Sequence, residues 1–210
     1  MRNRLREHLT GHPWRQVVAV SCLLAWAALV SNIQPMAQLE GQVNVAKAVR
    51  LVFSYLLNSG TAWAGLPVLA GWLVTDRWRS MLAGTFAAEL SLVVHYETGM
   101  LIGVFDAGIW ADNAYWFFFG LLCAPLGMVG ALARRADLWG LLARLVVPVG
   151  ALLEPFHRGV FTAPAILPWP KRVAPAISGA VLVAAGVTGA VLVLLRWLSP
   201  RRDLRVQQGA

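Results

Sequence analysis

Charged side chains are scarce in this chain, and their scarcity indicates the class of protein. Only 13% of the 210 residues are Asp, Glu, Lys or Arg, whereas 58% are hydrophobic, and the mean hydropathy is +0.62. A soluble domain needs roughly a quarter of its residues charged to cover its surface. The composition therefore excludes an ordinary soluble domain, and no stretch has the polar composition of a disordered segment.

Cysteine and the common catalytic motifs are also scarce or missing. The two cysteines, Cys22 and Cys123, fall inside apolar runs and are interpreted as small buried hydrophobes. The sequence has no Walker loop and no HExxH, CxxC, GxSxG or DDxxD motif, so we expect no metal and no cofactor. The spacing Glu154-x-x-His157 matches one half of a di-iron site, which needs a second copy that this chain lacks.

The chain has two lysines and sixteen arginines, and its net charge is +8. The basic residues stand in short clusters at the edges of apolar runs rather than along one polar face. Clusters in this position bind anionic lipid headgroups. The expected partner is therefore the lipid bilayer, and nucleic acid is not expected to be one.

Six apolar runs predict an all-α, polytopic membrane bundle of about six spans, since one span takes about 20 residues. The runs cover residues 17–33, 51–74, 81–105, 114–133, 141–161 and 175–199. A basic leader, 1–16, and a polar tail, 200–210, flank this single membrane domain. The leader and first run are interpreted as a retained signal anchor rather than a cleaved signal peptide.

Orientation follows from the distribution of Lys and Arg. Eleven lie in the leader, the tail and the turns at 75–80 and 134–140, against four in the segments on the other side. By the positive-inside rule both termini face the cytoplasm, which requires an even number of spans.

Small and helix-breaking residues mark particular runs. The sixth run has a stripe that allows close approach of a helix, either within the chain or from a second copy: Ala176, Ala180, Ala184 and Thr188. Gly120, Ala124 and Gly127 predict a similar face on the fourth run. Pro148 and Pro155 predict a kink in the fifth run, and residues 58–60 interrupt the second.

Three carboxylates within the runs are candidate catalytic groups, because an ionisable residue in a span costs about 3 kcal/mol and persists where it faces a polar interior. They are Glu89, Glu97 and Glu154. Glu89 is near the midplane with no cation three or four residues away, so we expect it to be protonated unless a partner on another helix pairs with it. Glu154 and Arg158 are four residues apart, so they either neutralise each other or serve a ligand.

Polar and aromatic residues near the predicted outer surface are candidate ligand-binding groups. They are Asn58, Trp63, His95, Tyr96, Asp106, Trp110, Tyr115, His157 and Arg158. The alternative for the aromatic residues is an ordinary interfacial belt, and for the polar ones a solvated turn. Taken together, they predict an outward-facing polar and aromatic cavity.

Several short stretches carry a resemblance to a known family. Residues 57–63 (LNSGTAW), the His95-Tyr96 pair, 120–135 and 151–154 (ALLE) resemble a family of small actinobacterial membrane proteins of unknown function, over residues 51–159. The resemblance implies several spans and a bacterial inner membrane, and it provides no catalytic residues that could be transferred to this chain. In size and intramembrane carboxylates the chain is also similar, at class level, to small integral-membrane terpene cyclases.

Three functions remain open at this point. One is a membrane-embedded acid–base enzyme acting on an amphiphilic or isoprenoid substrate, with Glu89 as the acid, Glu154 or Glu97 as counter-group, and aromatic residues such as Phe117 stabilising cations. A second is a carrier, or the binding subunit of a transporter, with its site on a broken helix. The third is an assembly partner that oligomerises through its sixth run.

Overall fold

The fold is helical throughout the part of the chain that the structure describes. This computed structural model describes residues 12–36 and 40–208, and their side chains as far as residue 199. No strand occurs in these ranges. The helices are α1 Pro13–Asn32, α2 Val45–Leu57, α3 Gly60–Val74, α4 Arg77–Leu101, α5 Ile109–Asp112, α6 Ala114–Leu121, α7 Ala124–Leu132, α8 Leu138–His157 and α9 Trp169–Gln208. The predicted all-α class is confirmed, while most of the basic leader and the side chains of the 200–210 tail lie outside the described residues.

Four helical segments in the described ranges are long and apolar enough to cross a membrane. They are α1, α6 and α7 taken together, α8, and α9 as far as Ser199. The apolar helix α3 has 15 residues, about 22 Å at 1.5 Å per residue, which is shorter than the hydrocarbon layer of about 30 Å. α4 has 25 residues but includes both Glu89 and Glu97. These segments give the chain the character of a membrane protein.

Two of the six predicted runs are divided into shorter helices. The run 51–74 forms α2 and α3, which meet at Asn58 and Ser59. The run 114–133 forms α6 and α7, because Pro125 has no N–H for the carbonyl four residues earlier. A tighter turn replaces the helical bond there, and the Cys123 N–H donates to the Gly120 carbonyl oxygen at 3.0 Å.

Two of the helices, α4 and α8, begin three or four residues before their apolar runs, because a capping side chain holds the first turn of each. Asp76 accepts from the Arg79 N–H at 2.9 Å and begins α4 four residues before the predicted run. Asp137 accepts from the Gly140 N–H at 3.0 Å and begins α8 in the same way. Such carboxylates satisfy N–H groups that have no partner within the helix.

The centre of the bundle is a close contact of α3, α4 and α7 through glycine and serine. A Cβ at Gly127 would collide with the carbonyl of Ser80, and a Cβ at Gly71 would collide with the carbonyl of Gly127. A Cβ at Gly84 would lie 2.8 Å from the Cα of Gly127. The predicted close-packing face of the fourth run is confirmed at Gly127, which allows three backbones to meet.

The small-residue stripe predicted on the sixth run is not the face that packs within the chain. Ala180, Ala184 and Thr188 are exposed. The packed face of α9 instead contains Gly186, where a Cβ would lie 2.6 Å from the Pro148 carbonyl oxygen of α8. Three of the four stripe residues therefore face away from the rest of the chain, and the role of the stripe in an oligomer stays a prediction.

Candidate functional site

The carboxylate of Glu154, on α8, binds the first turn of α3. Oε1 accepts from the Gly60 N–H at 2.8 Å, and Oε2 accepts from the Thr61 N–H at 2.7 Å and the Thr61 hydroxyl at 2.6 Å. Arg158 Nη1 donates to Oε1 at 3.1 Å. The N-terminus of a helix presents unpaired N–H groups and a partial positive charge, so Glu154 stabilises the start of α3 as a long-range cap.

The sequence itself specifies where α3 begins. The Asn58 amide donates to the Ser54 carbonyl at 2.9 Å and to Asn32 Oδ1 at 3.2 Å, which ends α2 against the last turn of α1. Ser59 accepts from the Ala62 N–H at 3.1 Å and is the N-cap of α3. The predicted interruption at 58–60 is thus a helix stop followed directly by a helix start.

A groove of about 700 Å³ lies between α3, α8 and the α6–α7 pair. It is open along one side rather than enclosed. Its polar end is formed by side chains that the sequence nominated, namely Asn58, Glu154, His157 and Arg158. Its walls are apolar: Ala64, Gly65, Val68, Trp116, Leu126, Val146, Val147, Gly150 and Leu153. One end can therefore hold a polar group while the rest holds a hydrocarbon chain.

Two glycines make room for the groove. A Cβ at Gly150 would meet no atom within 4 Å, and a Cβ at Gly65 would lie 3.8 Å from Val147 Cγ1. These glycines differ from Gly71 and Gly127, where a Cβ has no space. Together with Thr61 and the other wall residues, they line the groove but are not among the site residues predicted from the sequence. The sequence Ser-Gly-Thr at the start of α3 is typical of a helix N-terminus and could have indicated Thr61. A glycine within an apolar run has no pattern that indicates a groove.

A separate aromatic cluster lies where α4 ends and the chain continues into α5 and α6. The Tyr96 ring lies 5.9 Å from Phe105, 6.0 Å from Trp110 and 6.0 Å from Phe117, measured between centroids. Trp110 stacks on Phe117 at 5.3 Å. His95 lies 5.6 Å from Phe105. The segment after α4 is thus held against the bundle by its own aromatic side chains.

His95 connects this cluster to α1 and α3. Its Nδ1 donates to the Ala25 carbonyl oxygen at 3.1 Å, and its ring lies 6.1 Å from Trp63. His95 is 7% exposed. Its position is that of a buried histidine satisfied by a backbone carbonyl, and it does not line the groove.

Glu89 lies at the junction of α6 and α7, apart from the groove. Its Oε1 is the one buried side-chain oxygen or nitrogen, among the residues described, with no hydrogen-bond partner. A Cβ at Gly120 would collide with this oxygen, so the missing side chain of Gly120 makes space for the carboxyl group. A buried carboxylate without a partner is costly, and this placement fits a protonated acid.

The remaining nominated residues lie elsewhere. Glu97 is exposed on α4 and makes no contact with Glu89 or Glu154 that could pair them. Asp106 accepts from the Gly108 N–H at 2.8 Å in an exposed turn. Tyr115 is 52% exposed, and its ring centroid lies 4.8 Å from that of Trp116 in a tilted arrangement, as expected of an aromatic belt. The three candidate catalytic carboxylates are therefore not brought together into one centre.

The ligand set for a metal is not present in the part of the chain that the structure describes: no three His, Cys, Asp or Glu side chains there lie close enough to hold an ion. No protein-family model, curated protein or solved structure matches this chain. Its function must therefore be inferred from the groove and the isolated acid.

Proposed function

We propose that this chain is a multi-pass membrane protein that binds an amphiphile in the groove between α3, α8 and the α6–α7 pair. The observation that carries the proposal is the division of the groove into a polar end at Glu154 and Arg158 and apolar walls along the helices. Its volume of about 700 Å³ lies within the range of small-molecule sites, roughly 300–1,000 Å³.

The groove geometry favours a ligand taken from the bilayer. The walls run from Gly60 to Val68 on α3 and from Val146 to Glu154 on α8, about 12 Å each at 1.5 Å per residue. This is less than half of the hydrocarbon thickness of about 30 Å. A long apolar chain would therefore leave through the open side into lipid.

We further propose six crossings with both termini in the cytoplasm of a bacterium, in its inner membrane. Antiparallel packing supports the alternation, because Arg134, after α7, lies 4.7 Å from the Trp72 ring near the end of α3. Trp63, near the start of α3, lies beside His95 near the end of α4. The arginines at 77, 79, 134 and 135 then share one side, as the positive-inside rule requires. The broken pair α2 and α3 would make one crossing together.

Acid catalysis by Glu89 is the second candidate, favoured by its buried and unpartnered Oε1. A neutral carboxylic acid can protonate an alkene or an epoxide, and aromatic rings stabilise the resulting cation. Glu89 does not line the groove, so amphiphile binding and acid catalysis are separable hypotheses. A carrier function would use the same groove and the break between α2 and α3.

The test is to identify what co-purifies with the protein in mild detergent. Lipid extracts of the wild type and of Gly150→Leu are compared by mass spectrometry. Because a Cβ at Gly150 meets open space, leucine should fill the groove without shifting the backbone. Ala184→Leu, on the exposed face of α9, is the matched control. We expect one amphiphile enriched with the wild type and Ala184→Leu and lost with Gly150→Leu. Equal lipid profiles in all three would contradict the proposal.

A further inference from the structure

We infer that the amphiphile bound in the groove has an anionic headgroup, and that Arg158 binds it. This inference rests on the proposed function and adds the sign of the charge on the ligand's headgroup. The chemistry is that of a phosphate or carboxylate attached to a long apolar chain, drawn from the membrane.

The carboxylate of Glu154 is not available to a cationic head, because Arg158 already balances its charge and its hydrogen-bonding positions are all used. A carboxylate has about four lone-pair positions. In Glu154 two are used on Oε1, by the Gly60 N–H and Arg158, and two on Oε2, by the N–H and hydroxyl of Thr61. The side chain is 11% exposed. An ammonium group would find no acceptor left on the one carboxylate that lines the groove.

Arg158, unlike Glu154, has hydrogen-bonding groups left for a ligand. A guanidinium carries five N–H donors, and among the described contacts Arg158 uses one, from Nη1 to Glu154. Its side chain is 39% exposed at the polar end of the groove. Glu154 therefore orients a guanidinium that lines the groove and has donors left for a ligand, and such a fork binds phosphate or carboxylate with two parallel bonds.

The other residues around Arg158 add no unbalanced negative charge to the groove lining. His157, exposed, lies beside it and offers an imidazole N–H to a ligand. The N-terminus of α3 contributes a partial positive charge. Glu154 is the one acidic residue lining the groove, and its charge is balanced by Arg158. An anionic head thus meets an arginine with free donors and no unbalanced acidic side chain among the residues that line the groove.

The experiment measures binding of tritiated hexadecyl phosphate to the full chain in phosphatidylcholine nanodiscs. Unlabelled hexadecyl phosphate, palmitate, hexadecyltrimethylammonium and inorganic phosphate serve as competitors. We expect the first two to displace the label and the last two to leave it bound. Arg158→Gln should weaken binding about tenfold or more, and Arg158→Lys should weaken it less because the charge remains.

Arg172→Gln is the matched control, since Arg172 is an exposed cation at the start of α9 that does not line the groove. It should bind like the wild type. Thermal unfolding of each variant shows whether lost binding reflects lost folding.

Each result separates the two proposals. Displacement by hexadecyltrimethylammonium, or unchanged binding by a folded Arg158→Gln variant, would overturn the anionic head and leave amphiphile binding intact. Displacement by inorganic phosphate would indicate a site for soluble anions and also overturn it. Binding that Gly150→Leu does not reduce would place the ligand outside the groove and overturn both.

Discussion

Glu154 Oε2 lies 2.7 Å from the backbone nitrogen of Thr61, a residue 93 positions earlier in the chain. This contact joins the last turn of α8 to the first turn of α3, at the polar end of the groove between them. One carboxylate thus caps a helix, orients Arg158 and defines the polar end of the candidate site. The structural and ligand-binding roles of this carboxylate can be separated by experiment.

Glu154→Ala should destabilise the protein by about 2 kcal/mol or more, because it removes the cap of α3 and leaves Arg158 without its partner. His157→Ala, three residues along the same helix and exposed, should have little effect. Replacing Glu154 and Arg158 together should cost less than replacing Glu154 alone, since no charge is left unpaired. Thermal unfolding in detergent measures each variant. A double variant no more stable than Glu154→Ala would show that the cap alone matters.

Gly127→Ala should destabilise the bundle by about 1–3 kcal/mol, the usual cost of overpacking. The added Cβ would collide with the carbonyl of Ser80, and neither backbone can move without displacing its helix. Gly65→Ala is the matched control, because its Cβ would lie 3.8 Å from Val147 Cγ1, an ordinary contact. Chemical denaturation in mixed micelles provides the comparison. Equal stability of the two variants would disprove the close packing of α3, α4 and α7.

Glu89 should be protonated at neutral pH, because its buried Oε1 has no partner among the described residues. Infrared spectra of the wild type should contain the carbonyl stretch of a protonated carboxylic acid, and Glu89→Gln should lack it. Glutamine keeps the shape and adds no charge, so its melting temperature should stay close to that of the wild type. Glu97→Gln, at an exposed position on the same helix, should leave the band unchanged. Persistence of the band in Glu89→Gln would assign the proton to another group.

Cysteine labelling tests the proposed topology. In a background with Cys22 and Cys123 replaced by serine, new cysteines at positions 112 and 168 should react with an impermeant maleimide added to intact cells. New cysteines at 79 and 137 should react only after the cells are opened, because the turns there carry the cationic excess. Labelling of position 79 in intact cells would reject six crossings with cytoplasmic termini.

Acid should weaken the cap of α8. Arg135 Nε donates to Asp137 Oδ2 at 2.8 Å, and this hydrogen bond holds the pKa of Asp137 below its usual range. A carboxyl group with a lowered pKa stabilises the folded state above its unfolded pKa of about 3.9. The contribution is lost as the pH falls through the lower folded value. The melting temperature should therefore decrease as the pH is lowered beneath about 4. The decrease should be less steep for Asp137→Asn. Parallel profiles for the two proteins would contradict this account.

The sequence allows structural features to be predicted where they depend on residues that are close together along the chain. The composition and apolar runs predict a helical membrane protein, and the Asn-Ser-Gly triplet at 58–60 predicts the break before α3. Both outcomes follow from local preferences for helix, cap and turn. The sequence predicts Asn58, His157 and Arg158 as ligand-binding groups and Glu154 as a catalytic group, and all four line the groove.

Features that depend on which face of a helix meets another could not be predicted. α9 is apolar on all sides, so no pattern distinguishes the packed Gly186 from the exposed Ala184. Glu89 and Glu97 are both carboxylates in one run, yet only Glu89 turns inward, toward the space at Gly120. Which residues meet across two helices depends on how all the helices pack together. A single sequence does not contain that information directly.

The open side of the groove determines how its affinity has to be expressed. An occupant that enters from lipid diffuses in two dimensions, and its supply is its mole fraction in the membrane rather than its concentration in water. Amphiphiles partition strongly out of water, at about 0.8 kcal/mol for each buried CH₂ group. Much of an apparent aqueous affinity would therefore be partitioning. A site that is weak on the mole-fraction scale would still be occupied wherever its ligand is an ordinary membrane component, and selectivity would depend on the head alone.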